Sequence, residues 1–83
     1  DVATLRDQVN ADEQNLSLRL ELAKALMAEA EYEDALQLCL HIIEKEKIGL
    51  GEEAMQMMLD VFRIWDDESQ VRDFRKKLSM LLY

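Results

Sequence analysis

Between Leu20 and Ile43 the apolar residues fall at helical spacing on two faces, interrupted by one short polar break. Leu22, Ala23 and Leu26 make the first face; Tyr32, Ala35, Leu36, Cys39, Ile42 and Ile43 make the second. The break at Glu29 to Glu31 leaves room only for a reversal, so the pattern predicts two helices folded back on each other. Ala23 and Ala35 are small, and would let the two backbones approach toward the short end of the usual range of about 8–10 Å between axes.

The flanking stretches extend the same architecture. Val2, Leu5 and Val9 share a face of a first helix over Val2 to Val9, and the polar run Asn10 to Asn15 reads as a connection. Asn15 is placed to cap the second helix, its side-chain oxygen accepting from a free backbone N–H of the first turn, and this helix runs to about Glu29. The third helix spans about Glu31 to Lys47, with Lys45 and Lys47 complementing the negative end of its dipole. Gly49 and Gly51 mark a loop. A fourth helix over Glu52 to Trp65 carries two apolar stripes, Met55, Met58, Leu59, Phe62 and Trp65 beside Ala54, Met57, Val61 and Ile64. Such breadth predicts neighbours on two sides. After a turn at Asp66 to Ser69, a fifth helix runs to Leu82 with a core stripe of Val71, Phe74, Leu78, Leu81 and Leu82.

Composition narrows the class. With 83 residues, 49% hydrophobic, no proline and two glycines, the chain reads as one all-helical domain whose folding buries roughly 60% of the unfolded surface. The net charge of −8 argues against nucleic acid and against an anionic membrane surface, both of which recruit Lys and Arg. No run is long enough for a membrane span and no secretion signal opens the chain, so a cytoplasmic setting is expected; the single cysteine, which forms no internal disulfide, fits a reducing compartment. The start at Asp1 reads as a cut from a longer protein.

The central hairpin resembles a tetratricopeptide unit, with Leu22, Ala23 and Leu26 in one helix, Tyr32 after the turn, and Ala35 and Cys39 in the next at the matching spacings. Three positions depart from that pattern: Arg19 stands where a large apolar residue is usual, Ala30 where glycine is common, and Lys47 where proline closes the unit. The resemblance implies an all-α fold of about five helices in tetratricopeptide-like antiparallel hairpins, a fragment of a right-handed α-α superhelix. The closing stretch, Val71, Phe74, the triplet Arg75, Lys76 and Lys77, then Leu78, Leu81, Leu82 and Tyr83, resembles the end of the chaperedoxins, thioredoxin-like co-chaperones. That resemblance implies an upstream thioredoxin-like domain, a role in holding unfolded clients and handing them to a GroEL-type chaperonin, and no redox chemistry within these residues. The alternative is an oligomerisation or spacer domain of an unrelated tetratricopeptide protein.

The candidate chemistry is sparse. Cys39 and His41 point about 200° apart on a helix and cannot share a metal or act as nucleophile and base, so Cys39 reads as a small buried hydrophobe and His41 as an exposed residue. Glu31, Glu33, Asp34, Glu52 and Glu53 sit at helix starts, where carboxylates favour the dipole. Met55, Met57 and Met58 either fill the core or form an adaptable client surface. No nucleophile, base and orienting group converge, and the expectation is a non-enzymatic module without cofactor or metal. The most asymmetric feature is basic: Arg72, Arg75, Lys76 and Lys77 on the last helix. They are either a solvated face or a docking surface for an acidic partner. On the docking reading the partner-binding residues are Arg72, Arg75 and Lys76 together with Leu82 and Tyr83 at the apolar end.

Overall fold

The computed structural model describes residues 1–83 as five helices: α1 (Val2–Ala11), α2 (Leu16–Ala28), α3 (Tyr32–Lys45), α4 (Leu50–Ile64) and α5 (Glu68–Leu82). The Cα extents are 32 × 27 × 15 Å. The short dimension equals one interaxial distance of about 10 Å plus one backbone cylinder of about 5 Å, so the helices lie in two layers. None of the helices is long and apolar enough to cross a membrane.

Each boundary has a local cause. Asn15 caps α2 as its sequence position predicts, its Oδ1 accepting from Leu18 N–H at 3.1 Å. Asp1 and Asp67 cap α1 and α5 in the same way, accepting from Thr4 and Gln70 N–H. The α2–α3 reversal is a Schellman closure: Glu31 N–H donates to Leu26 C=O at 2.9 Å and Ala30 N–H to Met27 C=O at 3.0 Å. Ala30 pays for it with φ +59°, the left-handed conformation that glycine adopts without strain. Arg19, in place of a large apolar residue, donates from Nε to Glu13 C=O at 2.9 Å and braces the α1–α2 connection.

The α3–α4 junction differs from the expectation. Helix α3 stops at Lys45, and α4 begins at Leu50, so Gly51 lies inside the first turn of α4 and is buried. Two carboxylates make the early start possible by satisfying free amides: Glu46 accepts from Leu50 N–H at 3.1 Å and Glu52 from Gly49 N–H at 3.0 Å. Gly49 turns the chain with φ +74°. Gly51 is needed for a different reason, because a Cβ there would stand 1.8 Å from the Glu46 carbonyl oxygen. The backbones of α3 and α4 touch at this point.

Two apolar clusters share α2 and α3. Val9, Leu22, Leu26 and Ala35 hold α1 to the hairpin. On the other side, Leu20, Ala23, Leu36, Cys39, Ile42 and Ile43 join Ala54, Met58, Val61, Phe62, Phe74 and Leu78. Helix α4 presses its Ala54, Met58 and Val61 stripe on α3 and, less extensively, on α2. The outer edges of both its stripes are not enclosed: Leu59 is 39% and Ile64 64% exposed. At about 100° per residue Leu59 and Val61 lie on opposite sides of the helix, and with neighbours on one side only, one of the two is left out. Leu82, expected in the core stripe of α5, is also 43% exposed.

Candidate functional site

Helix α5 is held by two deep anchors, Phe74 and Leu78, and leans on α3 more than on α4. Gln70 Nε2 donates to Glu33 Oε1 at 3.2 Å, tying the start of α5 to the start of α3. Trp65, at the end of α4, fills the joint: its ring centroid lies 5.7 Å from Tyr32 and 6.3 Å from Phe74. Beyond that joint the α4 and α5 backbones stand apart.

The gap between them is a groove. One part, about 590 Å³, is walled by Leu59 and Phe62 of α4 and by Arg75, Leu78, Leu82 and Tyr83 of α5. A second hollow of about 450 Å³ lies on the other side of Phe62 and Arg75, lined by Trp65, Val71 and Arg72 and by the carboxylates of Asp66 and Glu68. At the waist between them the Arg75 guanidinium carbon sits 5.5 Å from the centroid of the Phe62 ring, a cation–π contact that leaves its donors free.

Of the residues the sequence singles out, Arg75, Leu82 and Tyr83 therefore meet in one groove and Arg72 lines the second hollow, whereas Lys76 is exposed and lines neither part. Lys77 lies over the Phe74 ring at 5.1 Å. The chain's ion pairs are elsewhere, Arg6–Asp34 at 3.1 Å, Lys24–Glu53 at 2.7 Å and Arg63–Asp60 at 2.6 Å, so none of the cations Arg72, Arg75, Lys76 and Lys77 forms a direct ion pair, although Asp66 and Glu68 share the hollow of Arg72 and Arg75. Leu59 is a groove residue that pattern reading assigned to the core, whereas Phe62 is buried in the core as the pattern places it and only borders the groove. The opposed directions of Leu59 and Val61 were the available signal.

The remaining candidates are structural. Cys39 is fully enclosed, and burial pushes its thiol up to about 12, which removes the thiolate that reactivity needs. His41 is half-buried instead of exposed, because α3 turns it toward the hollow between α1 and α3. Partial burial, with Arg19 and Lys45 nearby, holds its pKa below the ordinary 6.5 against the opposing effect of Glu44. Met57 and Met58 are buried and Met55 half-buried, the core-filling alternative. No group of three His, Cys, Asp or Glu side chains is placed to hold a metal ion.

Comparison with known proteins adds the family. The family model described as tetratricopeptide repeat matches residues 1–83. No curated protein and no solved structure matches the chain.

Proposed function

Because the chain belongs to the tetratricopeptide repeat family, whose helical hairpins serve protein–protein interaction, we propose that it is the C-terminal interaction module of a thioredoxin-like co-chaperone. The whole protein would hold unfolded clients and pass them to a GroEL-type chaperonin in the cytoplasm. The observation that carries this reading is the α4–α5 end, where Arg72 and Arg75, engaged in no direct ion pair, lie near the exposed apolar residues Leu59, Leu82 and Tyr83. Charges of this kind orient a partner and raise the association rate, while the apolar residues supply contact area. Arg72, Arg75, Lys76, Leu82 and Tyr83 are the residues assigned to the partner.

The test uses the full-length protein. Deleting Leu82 and Tyr83, and separately reversing Arg75 and Lys76 to Glu, weakens binding to a purified GroEL-type chaperonin while the helical circular-dichroism signal is retained. Normal chaperonin binding by both folded variants contradicts the proposal and favours an oligomerisation or spacer role.

A further inference from the structure

The hollow beside Trp65 holds charges of both signs in an order that a second copy of the chain complements. Glu68, Val71, Arg72 and Arg75 stand at i, i+3, i+4 and i+7 on α5 and all line this hollow, so they form one stripe with a carboxylate at its start and a guanidinium at its end. We propose that two copies of the chain associate through this stripe about a two-fold axis, their α5 helices antiparallel, with Glu68 of each copy on Arg75 of the other.

Availability is the first argument. Asp66, Glu68, Arg72 and Arg75 are all exposed, and none belongs to the chain's ion pairs. Arg75 is held over the Phe62 ring at 5.5 Å, which sets the guanidinium in place with its N–H donors free. Symmetry is the second argument. In an isologous contact residue i meets j wherever j meets i, and on antiparallel helices the alignment that sets Glu68 on Arg75 makes both pairs at once, about 10 Å apart along α5. The same alignment brings the two half-buried Val71 side chains together beside the axis and leaves the Arg72 side chains at the rim; Phe62 and Trp65 wall the hollow around that apolar centre. Net charge is the third argument. Two chains of charge −8 repel over most of their surface, whereas this hollow sets the carboxylates of Asp66 and Glu68 against the guanidiniums of Arg72 and Arg75, sums to zero and admits a close approach. A different protein would have to be built to this order of charges; a second copy has it already. Arg72 and Arg75 are also assigned to the partner, so pairing and partner binding exclude each other, but the association itself does not depend on that assignment.

Exposed ion pairs contribute little each, so the expected dimer is weak, with a Kd of about 10–100 μM, and sedimentation equilibrium of the full-length protein up to about 1 mM detects it. Glu68→Arg and Arg75→Glu, taken singly, set like charges face to face and are expected to weaken the dimer about tenfold or more. An equimolar mixture of the two single variants restores it, because each supplies the charge the other lacks, and so does the double variant on one chain. Lys45→Glu changes the net charge by as much as Arg75→Glu but lies at the end of α3, and it leaves the dimer as it was. Monomer at every concentration overturns the proposal. So does a dimer that survives both single reversals, that Lys45→Glu weakens equally, or that the mixture fails to restore. Chaperonin binding, measured at a dilution where the protein is monomeric, separates the two proposals: its absence from a chain that dimerises contradicts the proposed function alone, and its presence in a chain that stays monomeric removes this inference alone.

Discussion

The α2–α3 and α4–α5 pairs use helices of similar length joined by short connections, yet the first pair is closed and the second is open. Ala23, Ala35 and Cys39 are fully enclosed in the clusters around α2 and α3, and nothing larger than a thiol holds those helices apart at these points. Between α4 and α5 stand Phe62, Arg75 and Leu78, and the backbones diverge beyond Trp65. Small residues let backbones meet, whereas large ones hold an opening that a partner can enter. In this chain the closed pair is scaffold, and the open pair is surface.

The comparison can be broken most severely where closure is tightest. A Cβ on Gly51 meets the Glu46 carbonyl at 1.8 Å, so Gly51→Ala forces α4 away from α3. The expected loss is about 3 kcal/mol, at the upper end for overpacking, and a fall in Tm of about 12–24 °C in calorimetry. A smaller effect is expected within the hairpin. Ala35→Ile inserts a branched chain at a position with 0% exposure and should destabilise by about 1–3 kcal/mol, whereas Leu59→Ala, in the open groove, should change stability by less than about 0.5 kcal/mol. Equal Tm losses for the two would mean that both pairs are equally closed. The smallest change goes the other way: Ala30→Gly relieves φ +59° at the hairpin turn and should raise stability by about 0.5 kcal/mol, the relief exceeding the extra freedom of glycine in the unfolded chain.

Sequence reading recovers the closed half far better than the open half. The α2–α3 hairpin announces itself because two apolar segments, buried in the clusters on both sides, flank one short polar break, and Asn15 caps α2 as its position suggests. All five helices lie where periodicity puts them, apart from boundary shifts such as the start of α4, which depends on Glu46 and Glu52 capping across a loop. Of the site, the cations and the terminal Leu82 and Tyr83 are visible in the sequence, because charge asymmetry is local. Leu59 is not, since an apolar residue that lines a groove has the same pattern as one that fills a core. Only the lean of α5 toward α3 decides between them, and that is a tertiary fact.

The central claim, that the open α4–α5 pair and not the closed α2–α3 pair receives the partner, is tested most directly by site-specific photo-cross-linking to a purified GroEL-type chaperonin. A benzoylphenylalanine replaces Leu59 in one version of the full-length protein and the exposed Ala28, beside the hairpin turn, in another. The account predicts chaperonin adducts from position 59 and none from position 28. Adducts from position 28 alone, equal yields from both, or none from either would contradict it.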